Sequence, residues 1–343
     1  MNLRIKDSNV IKGWAIICIV IHNLVHNIRP LPSQNEFHFK RFKSEGLYHI
    51  ILNDTGDSLR AIISFYGHYG VKLFIFLSAY GLAKKYLKRD INYPQFIIHH
   101  AGKLYKAFLL VVLFWFAFEY LVNNQTVAKI WDKNWYALTL KLLAINIPGY
   151  GLSPVGPWWF FAAIIQLYLI FPFLYKLSKK YGNSVLLIIS VLAYSYIILS
   201  GKKIILYNAI GHLPEFCLGL YLANKEHFEI KKLHFLFFFL IFLLGHFYKI
   251  AWYFSGISIV FISLYTHSLI SGLSKTSETI IAKVGKLSLY MFLINGFIRK
   301  PFIPWLKSLD SDLYILGFSI IYLFGIILLA KVISWCTKKP FQS

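Results

Sequence analysis

His22 and His26 stand four residues apart at the end of an otherwise apolar stretch, Ile11 to Leu24 and just beyond. That spacing places both imidazoles on one face of a helix, with Cys18 one turn earlier on the same face. An imidazole whose other ring nitrogen is held by a partner can take a proton near neutral pH, which makes His22 a candidate general base. The plainer reading is that both rings only hydrogen-bond neighbouring helices. Cys18 is a candidate nucleophile beside His22, although a single cysteine on an apolar face is mostly packing. If the helix starts near Val10, His22 lies about 18 Å along it at ~1.5 Å per residue, past the middle of a ~30 Å hydrocarbon core. His26 then falls near the far surface.

A second group is cationic: His99, His100, Lys103 and Lys106 share neighbouring faces of one helix. Such a cluster at a membrane surface contacts lipid headgroups, and it can equally seat a phosphate. Ionisable groups inside apolar segments are costly unless paired or facing water, so Lys72 is a further candidate, as a substrate donor or a snorkelling or ion-paired side chain. Glu119 could orient a histidine or face water, and Glu215, after Pro214, could satisfy a kinked backbone. Trp158 and Trp159 sit where an interfacial aromatic belt belongs and are also substrate-contact candidates.

The elements that must carry these residues follow from composition. The 343 residues are 57% hydrophobic and 18% aromatic but only 15% charged, with a mean hydropathy of +0.58. Too few polar side chains exist to coat a water-soluble fold of this size. The fold expected is therefore all-α, a polytopic integral membrane bundle of about ten transmembrane helices near 10–28, 62–83, 103–122, 157–176, 184–200, 204–223, 233–249, 252–271, 284–300 and 312–336. A further helix over Trp135 to Ile147 is too short to cross and is expected to lie at the interface. The first segment lacks a small-residue cleavage pattern after His26, Arg29 and Pro30 and reads as a retained span. One transmembrane domain over residues 1–343 is expected, with no attached soluble domain.

The formal charge of +22 does not point to nucleic acid, because the cations punctuate the ends of apolar runs rather than forming one stripe. Basic clusters fall on alternate loops: Arg4 and Lys6; Lys84, Lys85, Lys88 and Arg89; Lys176, Lys179 and Lys180; Lys225, Lys231 and Lys232; Lys283 and Lys286; Lys338 and Lys339. Both termini are thus expected in the cytoplasm, with anionic lipid as a partner. Lys40, Arg41, Lys43, Lys202, Lys203, Arg299 and Lys300 fall on the opposite side. Two outward loops, 29–60 and 123–157, are long enough to build a substrate site. Cys18, Cys217 and Cys336 are too scattered for a disulfide framework or zinc site, and no metal is expected. The motifs GxxxxGK[ST], GxSxG, HExxH and GxGxxG are absent, which removes the footing for nucleotide hydrolysis, serine esterase and zinc protease chemistry.

Taken in order, the motifs resemble the membrane acyltransferase-3 family over nearly the whole chain. The carriers are Ile11-Lys12-Gly13-Trp14-Ala15-Ile16-Ile17, Phe74-Ile75-Phe76-Leu77-Ser78-Ala79-Tyr80-Gly81-Leu82, Trp158-Trp159-Phe160 with Gln166 to Pro172, Phe216 to Tyr221, and Gly285 to Asn295. The resemblance implies transfer of an acyl group, mostly acetyl, from cytoplasmic acetyl-CoA to a hydroxyl of an extracytoplasmic glycan, in the inner (cytoplasmic) membrane. It implies a catalytic histidine in the first span. The family's spacing of a basic residue, ten residues and a histidine, counted from Lys12, lands on Asn23, so His22 and Asn23 both stand for that position. Arginines that many members carry in the third span read His99, His100 and Lys103 here, the expected coenzyme A phosphate site together with Lys106. A late family histidine reads Asn295. Lys72 and Ser78 become candidate donors to the oxyanion. The alternative is a transporter or flippase of a glycan precursor without acyl transfer. Acceptor identity, acetyl against succinyl, and oligomeric state stay open.

Overall fold

The computed structural model describes residues 3–28, 34–87, 89–147, 154–225, 227–309 and 311–338. Arg29, Pro30, Lys88 and Lys339, which entered the expectations above, lie outside them. The described chain is helical throughout, its one bridge being the isolated pair Asn35 and His38. In order the helices are α1 Ile5–Val25, α2 Arg41–Asn53, α3 Thr55–Tyr66, α4 Gly70–Tyr86, α5 Tyr93–Leu121, α6 Val127–Leu142, α7 Trp159–Tyr181, α8 Val185–Ser200, the single turn α9 Lys203–Leu206, and α10 Leu213–Ala223. They continue as α11 Lys232–Leu244, α12 Lys249–Tyr253, α13 Ser255–Ile270, α14 Lys275–Lys286, α15 Ser288–Ile298, α16 Phe302–Lys307 and α17 Asp312–Lys338.

Local chemistry sets several of these starts. Asp54, Asn92 and Thr126 accept from the backbone N–H three residues on and so cap α3, α5 and α6. Pro94 occupies the first turn of α5, where its missing N–H costs nothing. The long helices are apolar on nearly every face, as helices packed in lipid are.

Every apolar segment expected to cross is helical, but five helices have the length and composition to do so, or six if the bent pair α14 and α15 counts as one. The segments 185–200, 209–223, 232–244 and 255–270 are apolar but shorter than the roughly 20 residues a crossing needs. The structure also changes several outlines. The second span runs from Gly56 to Tyr86 through a 3-10 turn at Gly67–Tyr69. The late span breaks at Leu287, where α14 and α15 meet at 67°. The first long loop holds α2, whose charged residues gave no apolar signal. The interfacial helix begins at Val127 rather than Trp135 because Thr126 caps it, and Trp131 and Trp135 on it are exposed.

Around α1 the bundle packs α14, α4, α3 and α15. Glycines permit the closest approaches. A Cβ on Gly13 would lie 2.2 Å from the Ile281 carbonyl oxygen, and one on Gly285 would lie 1.9 Å from that of Asn9, so α1 and α14 touch backbone to backbone. At the other end, a Cβ on Gly67 would meet the Cβ of His22 at 2.4 Å. Basic groups gather at one end of the bundle, where Lys84 reaches the Lys225 carbonyl, Lys179 that of Leu87, and Lys85 the ring of His99. At the opposite end, fully buried Arg60 joins Asp312 at 2.7 Å and donates to the Ile28 carbonyl at 3.0 Å, tying α3 to α17 and to the end of α1.

Candidate functional site

The close approach of the 3-10 turn to α1 brings a third imidazole to the pair on the first helix. His22 and His26 stack with ring centroids 4.8 Å apart, and His68 lies 5.6 Å from His22 at a tilt of 52°. His22 Nδ1 is 3.3 Å from the Ile63 carbonyl and His26 Nδ1 is 2.9 Å from the His22 carbonyl. A carbonyl can only accept, so each Nδ1 carries its proton and each Nε2 keeps a lone pair. His22, 5% exposed, is thereby held in the tautomer a general base requires. Cys18 lies at the protein surface and is not among the residues that line the cavity beside the histidines.

These rings line a cavity of about 270 Å³ together with Asn23, Glu36, Trp159, Tyr207, Phe292 and Arg299, called the outer cavity for the side it is expected to face. Glu36 is brought there by its neighbours: Asn35 Oδ1 accepts from the backbone N–H groups of Phe37 and His38 at 3.0 Å, and the Phe37 ring stacks on Tyr207 at 3.7 Å and meets Trp159 edge-on at 4.8 Å. Burial pushes the Glu36 carboxyl up to about 7, with Lys72 acting against it. Burial, and then Glu36, push the Tyr207 phenol up to about 12. The aromatic wall is braced from behind. Asn146 donates to the Trp159 carbonyl at 2.9 Å and the Tyr207 carbonyl at 2.6 Å, and fully buried Lys141 donates to Asn146 and to the Ile145 carbonyl.

Asn23 shares the outer cavity and donates to Asn295 Oδ1 at 3.0 Å. Two positions that the family resemblance would fill with histidine thus face each other as amides. An amide pair takes no proton, so proton transfer falls to the imidazoles beside it.

Phe292 also lines a second cavity of about 150 Å³, called the inner cavity, together with Lys12, Phe74, Ser78, Leu104 and Tyr168. Ser78 and Tyr168 bring their hydroxyls to this cavity. Leu104 follows Lys103 on α5, which links this cavity to the basic cluster. In that cluster Lys103 and Lys85 approach His99 Nε2 at 3.0 and 3.4 Å, and the Tyr86 hydroxyl is 3.0 Å from His100 Nε2. Lys85 is a member the sequence reading did not select. Lys106 is exposed one turn along.

Other candidates are engaged elsewhere. Lys72 pairs with Glu215 at 3.1 Å and lies 3.1 Å from His212 Nδ1, and the His212 ring stacks on Trp159. Lys72 therefore acts on the cavity through its wall. Glu119 accepts from Trp115, Asn123 and Gln125 and faces Lys300 at 3.5 Å; no histidine is among its partners in the described residues. Trp158 is fully buried, donating to the Leu293 carbonyl at 2.8 Å, while Trp159 fronts the cavity. No group of three or more His, Cys, Asp and Glu among the described residues has the geometry to hold a metal ion. The residues sequence reasoning missed, His68, Glu36, Arg299 and Tyr207, come from separate elements and carry no shared spacing to mark them.

A membrane-type helical bundle enclosing an acid–base cavity beside a second chamber is a transferase-like arrangement, and comparison with known proteins gives it a family. The acyltransferase-3 model, described as an acyltransferase domain, matches residues 5–336. The chain belongs to the acyltransferase-3 family and is an acyltransferase of the membrane-helix type. No curated protein and no solved structure gives a significant match.

Proposed function

We propose that this acyltransferase moves an acetyl group from cytoplasmic acetyl-CoA to a hydroxyl of an extracytoplasmic glycan, across the inner membrane. In this reading the four shorter apolar helices complete ten crossings, both termini are cytoplasmic, and the basic end of the bundle faces inward. Lys85, His99, His100, Lys103 and Lys106 receive the phosphates of coenzyme A, and the acyl thioester enters the inner cavity past Leu104. The carrying observation is that one side chain, Phe292, lines both that chamber and the cavity beside His22, whose Nδ1 is turned to the Ile63 carbonyl so that Nε2 of the neutral ring keeps its lone pair.

Chemically, His22 Nε2 takes the proton of the acceptor hydroxyl as its oxygen attacks the thioester carbon. The resulting tetrahedral oxyanion needs donors, for which Ser78 and Tyr168 stand at the inner wall. Its collapse breaks the carbon–sulfur bond, and the proton passes from the imidazolium to the departing thiolate. Purified full-length protein in lipid nanodiscs, given radiolabelled acetyl-CoA and a mixed envelope-glycan pool, is expected to yield labelled glycan with stoichiometric release of coenzyme A. A transporter yields no labelled product, and that result would overturn the reading.

A further inference from the structure

The outer cavity holds one charged side chain that its surroundings do not answer. Arg299 caps the end of α15 and lines the cavity beside His22 and His26. Its Nη1 is sealed from solvent and makes no hydrogen bond among the described residues. No described carboxylate lies within ion-pair distance of it. Glu36, in the same cavity, acts electrostatically on Tyr207 and Tyr69 rather than on Arg299. Burial pulls the guanidinium down to about 10, which leaves it cationic at neutral pH. A guanidinium with a sealed donor left unmet is unfavourable until an anion completes it.

More cations surround the same opening. Lys43 and Arg299 both act on His26, and Lys203, Lys40 and Lys43 act on His38, in each case lowering the imidazole's affinity for a proton where it lies outside the spans. These are the residues that break the alternation of basic loops along the sequence, so the positive-inside pattern yields at the place where the cavity opens. In the same cavity Phe37 stacks on Tyr207 and meets Trp159 edge-on, an apolar wall of the kind against which a sugar face packs.

We infer that the outer cavity receives an acceptor bearing a fixed negative charge near the acylated hydroxyl, a sugar carboxylate or sugar phosphate, and that Arg299 binds that charge. This rests on the acyl-transfer reading for its consequence but not for its test. The fork of Arg299 suits either anion by two parallel hydrogen bonds, where an ammonium offers only a point charge.

Binding is measured by calorimetry on the full chain in phosphatidylcholine nanodiscs, with methyl glucuronide, glucose phosphate and uncharged methyl glucoside as probes. At least one anionic probe is expected to bind about tenfold or more tightly than the neutral one. Arg299→Gln is expected to erase that preference while leaving neutral-glycoside binding unchanged, and Arg299→Lys, which keeps the charge and the fold, to retain part of it. Equal affinity for charged and neutral probes overturns the inference, as does an undiminished preference in Arg299→Gln, or loss of neutral-glycoside binding in that variant alongside the anionic. Anion preference without labelled product in the acetyl-CoA assay overturns acyl transfer and leaves this site standing; labelled product without anion preference does the reverse.

Discussion

The two histidine clusters differ in what holds them. In the outer cavity, His22 and His26 are fixed by backbone carbonyls and by a glycine contact that leaves no room for an added methyl. In the basic cluster, the rings of His99 and His100 meet side chains among the described residues, and Lys85, Lys103 and Lys106 are exposed stems at the surface. A proton acceptor must keep one tautomer and one direction, which backbone partners supply. Capturing a flexible polyanion asks only for cations that can follow it. The same residue type therefore does different work according to whether main chain or side chain anchors it.

The sharpest way to break this contrast is His22→Ala, expected to lower acetyl transfer by about 100-fold or more with an unchanged melting profile; full activity would remove the general-base role. Next is Gly67→Ala against Gly102→Ala. The first places a Cβ 2.4 Å from His22 Cβ and 2.7 Å from the Cys18 carbonyl oxygen, while the second meets nothing within 4 Å. Gly67→Ala is expected to cost about 1–3 kcal/mol and Gly102→Ala to be neutral or stabilising by up to roughly 1 kcal/mol, read by thermal unfolding in detergent. Equal effects would show that the two clusters are equally tight.

A smaller effect is expected from reversing Lys103 and Lys106 to Glu, which should weaken acetyl-CoA binding by about tenfold and leave acceptor binding alone; unchanged affinity would leave lipid contact as the role of the cluster. The smallest concerns Glu36. Its carboxyl is raised from the ordinary 4.5 to about 7, so the folded state holds a proton that the unfolded chain releases. Stability from this group is full below about pH 4.5, declines as pH rises to about 7, and is level above that. Glu36→Gln, which carries no charge at any pH, should therefore raise the melting temperature relative to the unaltered protein by roughly 2 °C or more at pH 7.5 and leave it nearly unchanged at pH 5. An equal effect at both pH values would show that the Glu36 carboxyl is not held protonated by its surroundings.

Much of the bundle was legible because apolar length is a one-dimensional signal. Both ends of α17, the start of α7 and the far end of α5 could be read within a few residues, though α5 begins at Tyr93, well before the expected 103, because its first turns are polar and basic; the pairing of His22 with His26 follows from helical spacing alone. Breaks were less visible. Leu287 carries no proline or glycine signal of its own beside Gly285, and the turn at Gly67–Tyr69 lies inside a continuous apolar run, so the bend there depends on packing against α1. Glu119 and Lys72 stand out in the sequence as charges within apolar segments, but their partners, Lys300 and Glu215, lie 181 and 143 residues away, and such pairs have no local signature. For the same reason Glu36, a loop residue carried by the ring next to it, looked unremarkable as a sequence position.

The glycine contacts along α1 have a mechanical consequence. With Gly13 and Gly285 locking one end to α14, and Gly67 and Gly70 pressing on the other, this helix can neither slide nor roll without driving backbone into backbone. The imidazoles it carries are stationary parts. Whatever passes between the two chambers goes by a post that does not move, with Phe292 of the broken helix α15 in the lining of both.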